Sequence, residues 1–254
     1  MSKVKILYLI GGLGNNLFQI EKSLSSQNSQ VRVVTNLIED RFYSRIFGWT
    51  YHKETVSELS FKNDVEFIRL NSLLVLIHLC LLFFSKFTNR TFLGVSWESY
   101  LLTRVNFGYW QIRDGKDQNA FKLKIDYKVQ VNTLPVVHVR MGDSPTICED
   151  LNAQLELMKE LNFDRYLVIT NDKESFIESA KNFNFEFEAR QRTVAEDLLS
   201  LLSAKTLIIP QSTFSLVASF MSDKLEVLYV NPIYWLRNGR YLNDVSIKYY
   251  QERD

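Results

Sequence analysis

Cysteine is nearly missing from this chain of 254 residues, where Cys80 stands inside an apolar run and Cys148 after a loop, with no third. That scarcity excludes a disulfide framework and a cysteine-based zinc site, and it fits a reducing compartment. Histidine is scarce too: three scattered residues make no ligand cluster, and no D-x-D pair of the kind that holds a metal-bound nucleotide occurs. Nine glycines and four prolines are too few for collagen-like or low-complexity segments. Neither sign of charge prevails, since 30 Lys+Arg stand against 29 Asp+Glu for a formal net charge of +1. A balance this even removes the global field of a general nucleic-acid binder and leaves room for a local basic site.

Long hydrophobic runs are also lacking. The one membrane candidate, LLVLIHLCLLFF at 73–84, has twelve residues with His78 in the middle, where a span needs roughly 20. A buried helix is the expected reading, and a helix lying on a membrane surface is the alternative. The opening MSKVKILYLIGG has an apolar stretch too short for a secretory signal and runs into a glycine turn, so it reads as a first strand. The expected location is cytoplasmic, with peripheral contact to the inner membrane face if the apolar helix lies there.

What is present is 46% apolar content, enough for one large core or two small ones. The first half opens with a strand at 4–10, a glycine turn, a helix from about Asn15 and a strand at 31–35, the start of a strand-helix-strand unit. Between 40 and 125 the pattern is less regular and rich in aromatics. From about 134 strands and helices alternate. Strands are expected at PVVHVR, 166–170, 185–189, 206–210 and 225–230, with helices at 150–162, 173–182, 194–204 and 213–221. Such alternation means a parallel sheet with helices on both faces. The polar stretch DYKVQVNT at 126–133 is the expected seam, dividing the chain into lobes 1–130 and 131–254 of an α/β protein.

Three places carry candidate chemistry. GGLGNNLFQ at 11–19 has Gly12 and Gly14 after a strand, but Leu17 stands where a dinucleotide fingerprint needs its third glycine, and no acid follows the second strand. The turn leaves main-chain N–H groups and amide side chains open to a ligand, or else Asn15 caps the helix. In VVHVRMGDSP at 136–145, His138 and Arg140 lie two apart and so share one face of a strand. The arginine fork suits a diphosphate, and its alternative is an Arg140–Asp143 ion pair fastening the loop. In PQSTFSLVASF at 210–220 a strand runs into a helix whose start holds Ser212 and Thr213. A helix N-terminus with hydroxyls is an anion site or an ordinary cap.

GGLGNNLFQ, FGYWQ at 107–111, VVHVRMGD at 136–143 and DLLSLLSAKTLIIPQSTFSLVASF at 197–220 occur in this order. Their order and spacing resemble the motifs of glycosyltransferase family 11, the bacterial α-1,2-fucosyltransferases, and YLVITND is similar to that family's strand ending in S-D-D. The resemblance implies a GT-B fold of two Rossmann-like lobes, with the acceptor on the N-terminal lobe and the donor on the C-terminal lobe. It also implies inverting transfer of fucose from GDP-fucose, needing no metal or other cofactor, to a glycan hydroxyl. By the same resemblance that acceptor is galactose in a bacterial surface polysaccharide or its lipid-linked precursor.

By the same resemblance Arg140 would hold the β-phosphate and stabilise departing GDP, and His138 would contact the nucleotide. Ser212, Thr213 and Phe214 would line the diphosphate and base site, Asn15 would reach the donor from the other lobe, and Asp197 would bond guanine or else serve as a first-turn helix acid. Asp143 is expected as the partner that orients Arg140; Glu21 is the other carboxylate near a motif. The sequence departs from the family at Met141, where a second arginine is usual, and at Leu216–Val217, which replace a tryptophan pair. A nicotinamide-binding Rossmann enzyme and a catalytically silent glycan-binding descendant are the competing readings. Trp97, Tyr109 and Trp110 are equally at home in an acceptor site or a core.

Overall fold

The computed structural model describes residues 5–8, 13–25, 31–34, 59–62, 65–69, 71–88, 123–126, 131–141, 147–190, 192–231 and 244–250. The chain divides into two compact units, Met1–Asp126 and Tyr127–Asp254.

In the first unit, strands β1 (Lys5–Tyr8), β2 (Val31–Val34) and β3 (Val65–Ile68) form a parallel sheet in the order β1-β2-β3. Helix α1 (Leu13–Ser25) connects the first two strands and packs on both. It buries Leu17, Phe18 and Ile20, while Val31 and Val33 of β2 are buried as well. Arg32 and Glu66, register partners on neighbouring strands, form an ion pair at 2.7 Å. Helix α2 (Ser72–Thr88) matches the apolar run and extends it at both ends.

The environment of α2 corrects the expectation of burial. Leu73 is 67% exposed, Phe84 59% and Phe87 68%. Uniform apolarity marks a helix that belongs out of water, but it does not supply the neighbour. α1, not α2, is the helix that packs on β1 and β2.

The second unit is a six-stranded sheet. Its strands are β4 (Val136–Val139), β5 (Arg165–Thr170), β6 (Glu186–Arg190), β7 (Thr206–Ile209), β8 (Val227–Val230) and β9 (Ser246–Tyr249). They lie in the order β6-β5-β4-β7-β8-β9, and every pairing is parallel. The intervening helices are α3 (Ile147–Leu161), α4 (Lys173–Ala180), α5 (Val194–Leu202) and α6 (Thr213–Met221).

Side chains alternate between the two faces of each strand. Val137, Val139, Tyr166, Val168 and Ile208 share one core cluster with Leu155 and Met158 of α3 and Phe176 of α4. The opposite face carries His138 and meets α6 through Phe214, while α5 packs on β4 and α6 on β7. Helices therefore cover both faces, and the α/β architecture with parallel sheets is as expected.

Each short helix starts on a local cap. Asp172 accepts from Ser175 N at 3.0 Å, Thr193 and Glu196 form a reciprocal capping box, and Ser212 accepts from Phe214 N at 3.3 Å. At the end of α3, Asn162 takes a left-handed φ of 47°, a conformation its short polar side chain tolerates. Two strands, β3 and β9, were not expected from the sequence. β9 is anchored next to its last residue, where the Tyr250 hydroxyl donates to Ile209 O at 2.6 Å.

Candidate functional site

Numbered within its own unit, the second sheet has the strand order 3-2-1-4-5-6. In such a sheet the chain leaves neighbouring strands β4 and β7 toward opposite faces. The resulting crevice, beyond their carboxyl ends, is where open α/β sheets take ligands. The two motifs singled out in this half end on those strands: His138 and Arg140 at β4, and Pro210-Gln211-Ser212 at β7.

His138 is buried, with its ring set edge-on to Phe214 at 5.6 Å and 67°. Burial, reinforced by the Arg140 guanidinium, lowers its pKa from the ordinary 6.5 to about 3. The imidazole is therefore neutral throughout the physiological range, with one nitrogen donating and the other accepting. Its Nδ1 is buried without a hydrogen-bond partner among the described residues. The main chain here is held from behind, since Gln154 Nε2 donates to His138 O at 3.0 Å.

Arg140 follows the strand and is half-buried. The next residue, Met141, is held at both its N–H and its C=O by one side chain at the neighbouring strand's end. Met141 N donates to Asn171 Oδ1 at 2.7 Å, and Asn171 Nδ2 donates to Met141 O at 2.8 Å. Sequence reasoning gave Asn171 no task; the available signal was an amide at the end of the strand that follows β4. Met141 packs against the α3 and α4 cluster, so the place where the resemblance has a second arginine is used here for apolar contact.

At β7 the chain turns through Pro210, whose carbonyl accepts from Ser212 N at 2.7 Å. Ser212 is buried and caps α6, while Thr213 and Phe214 are half-buried in the helix's first turn. The capping role expected as the plainer alternative is thus the one Ser212 Oγ performs, and it leaves that hydroxyl's proton available to a further acceptor. Asp197 lies in the first turn of α5, with its N–H donating to Thr193 O at 2.9 Å. Because α5 follows β6 in a parallel sheet, its first turn stands at the same edge of the sheet as Arg140 and Ser212. Five candidates of the second unit, His138, Arg140, Asp197, Ser212 and Phe214, with Thr213 beside them, therefore belong to one sheet edge.

The remaining candidates fall elsewhere. Asn15 belongs to the first unit, where it occupies the third position of the helix that begins at Leu13. Its neighbour Asn16 is buried, with Oδ1 lacking a partner among the described residues. Leu17, at the position of the missing third glycine, is fully buried, which gives it a packing role. The Glu21 carboxylate accepts the Leu123 N–H and so ties α1 to a distant segment of its own unit. Asp143, Trp97, Tyr109, Trp110 and the FGYWQ motif lie outside the described residues.

Among the described residues, no group of three His, Cys, Asp or Glu side chains is placed to share a metal ion. A cavity of about 450 Å³ lies beside α5 and is lined by Asn132, Leu167, Arg190, Arg192, Glu196 and Ser200, among others. Arg190 bonds the Glu188 carboxylate, and the Glu196 carboxyl is held below its ordinary range by the Thr193 N–H and hydroxyl, with a smaller contribution from Arg192. Charges of both signs line it, and the crevice at β4 and β7, where the two motifs of this half end, is the better candidate.

No protein-family model and no curated protein matches the chain. Among solved structures it is similar to Escherichia coli heptosyltransferase WaaC with ADP, at 10% identity and TM-score 0.49 over 97% of this chain and 93% of that one. It is also similar to a family 9 glycosyltransferase from Veillonella parvula, at 9% identity and TM-score 0.45 over 97% and 86%. A third is the iron-containing dodecameric glycosyltransferase TibC of enterotoxigenic E. coli, at 17% identity and TM-score 0.38 over 90% and 58%.

Proposed function

We propose that the chain is a GT-B-type glycosyltransferase whose second unit binds a nucleoside-diphosphate sugar at the carboxyl ends of β4 and β7. The observation that carries this reading is the pairing, on adjacent strands, of Arg140 with the N-terminus of α6, joined by the His138–Phe214 ring contact. A guanidinium and a helix N-terminus are both suited to phosphate oxygens. A buried, neutral imidazole is suited to a sugar or base and not to a second negative charge. The motif resemblance narrows the donor to GDP-fucose, assigns Asn15 and Asp197 to it as well, and makes the acceptor a galactose hydroxyl of a surface glycan.

In this reading the acceptor oxygen attacks the anomeric carbon as the bond to the diphosphate oxygen breaks on the opposite side, which inverts the configuration. The acceptor's proton leaves to solvent or a base, and the electron pair of the broken bond goes to GDP. Negative charge grows on the β-phosphate, where Arg140 and the first N–H groups of α6 offset it without having to reorganise. Asn171 contributes by fixing the peptide that follows Arg140.

The first test is calorimetric titration of GDP into the folded protein with a chelator present, and with UDP as control. Selective GDP binding supports the site, whereas a folded protein that ignores GDP removes it. Arg140→Ala is expected to lower turnover with GDP-fucose by about 10²-fold or more, as loss of one charge-stabilising donor does. Activity within a few-fold of the parent protein would take Arg140 out of the mechanism.

A further inference from the structure

We infer that α2 is an interfacial helix that seats this chain on an anionic lipid surface. The inference is independent of the nucleotide site and concerns only the first unit. Seven of the eight exposed side chains described on this helix are apolar or thiol, and Thr88 at its end is the exception. Leu73, Leu76, Ile77, Cys80, Phe84 and Phe87 recur at helical spacing and fall on one side of the helix. They form a stripe about 20 Å long at 1.5 Å per residue. An exposed apolar stripe of this length marks a surface meant for something other than water.

Two observations select the occupant. The first is length. The helix has 17 residues, about 25 Å, and among the described residues no helix is long and apolar enough to cross a membrane. A helix too short to span, with its apolar side outward, has its favourable place along the interface.

The second is charge. Between Glu66 and Glu98 the sequence has no carboxylate, but it has Arg69 just before the helix, Lys86 in its last turn and Arg90 just after it. Arg69 is exposed. Basic groups at both ends of an apolar stripe, without a single acid, match a surface of anionic headgroups surrounding acyl chains. A chain whose overall charge is nearly balanced gains this complementarity only locally.

The test is co-sedimentation of the full chain with vesicles of phosphatidylcholine alone and with about 30% phosphatidylglycerol, an anionic fraction sufficient for basic segments to respond. Binding is expected to the anionic vesicles, weakened about tenfold or more in their neutral counterparts and in high salt. Leu76→Glu with Phe84→Glu should abolish it while leaving the thermal midpoint and GDP binding unchanged. Arg69→Ala with Arg90→Ala should reduce anionic binding about fivefold per residue removed, which guards against misreading a misfolded apolar-face variant.

As a local readout, an environment-sensitive dye on Cys80, with Cys148→Ser as background, should shift to the blue on anionic vesicles. Failure of the folded chain to bind, equal binding to both vesicle types, or binding untouched by both variants would each overturn the inference. So would a stable dimer in lipid-free buffer that Leu76→Glu with Phe84→Glu converts to monomer, since the stripe would then belong to a second copy of the chain.

Discussion

Helices α2 and α6 are both almost wholly apolar, reading SLLVLIHLCLLFFSKFT and TFSLVASFM. In α6 every residue from Ser215 to Met221 is buried, whereas α2 displays Leu73, Phe84 and Phe87 to solvent. The difference lies in the small residues. Ser215, Ala218 and Ser219 are small and buried on a helix that packs on β7 and α5, and the two serine hydroxyls donate to carbonyls one turn back, Ser212 O at 3.4 Å and Leu216 O at 2.7 Å. The exposed side of α2 is mostly bulky, carrying Leu73, Leu76, Ile77, Phe84 and Phe87. Close packing rewards a helix whose surface interdigitates with its neighbours, and apolarity alone does not provide that fit. α6 is consequently the rigid mount for Ser212, Thr213 and Phe214, while α2 is a surface.

The contrast breaks first at its buried end. Leu216→Ala removes a fully buried side chain of α6, and is expected to cost about 2–5 kcal/mol of unfolding free energy in denaturant titration. A loss below about 1 kcal/mol would mean that α6 is less firmly seated than its burial indicates.

Acid should act next, through His138 beside Phe214. The folded chain refuses a proton until about pH 3 while the unfolded chain accepts one near 6.5. The stability gained by keeping the ring neutral is therefore full above 6.5 and lost as pH falls toward 3. At 1.36 kcal/mol per unit the loss amounts to about 2 kcal/mol by about pH 5. His138→Gln should flatten the pH profile over that window; an unchanged slope would assign the acid sensitivity to other groups.

A smaller effect is expected at the capped end of α6. Ser212→Ala should cost about 1 kcal/mol by thermal or chemical melting, the usual worth of a helix cap. The least effect belongs to α2: Leu76→Ser should change unfolding free energy by no more than about 0.5 kcal/mol, as exposed positions do. A loss comparable with that of Leu216→Ala would show Leu76 buried in solution and would collapse the comparison.

Much of the second unit is legible in the sequence because a parallel sheet advertises itself. Its central strands are covered on both faces, so VVHV, YLVIT and TLII read as short apolar runs, and the three short helices begin at the capping residues Asp172, Thr193 and Ser212. The helix expected at 213–221 has those bounds in the structure. β3 and β9 escaped because VEFI and SIKY are only four residues long and each carries a charge, Glu66 or Lys248, that interrupts the apolar run. Strand starts also shifted, β8 beginning at Val227 and not at 225.

At the candidate site, residue type pointed to Arg140, His138 and Ser212, since a fork, an imidazole and a cap beside strand ends are visible locally. Asn171 was not visible. Its value lies in the two hydrogen bonds it makes to Met141, thirty positions away.

What the sequence determined by itself is the class of fold and the chemistry on offer: alternating elements, an apolar helix too short to span, and an arginine following a buried strand. These depend on periodicity, composition and neighbours a few residues apart. Only the tertiary structure decided the order 3-2-1-4-5-6, which makes β4 and β7 adjacent and brings His138 to Phe214. It also decided that α6 is buried and α2 is not. Strand adjacency and helix burial are settled by pairing and packing between segments tens of residues apart, where shape and hydrogen-bond register decide among partners that the local sequence leaves equivalent.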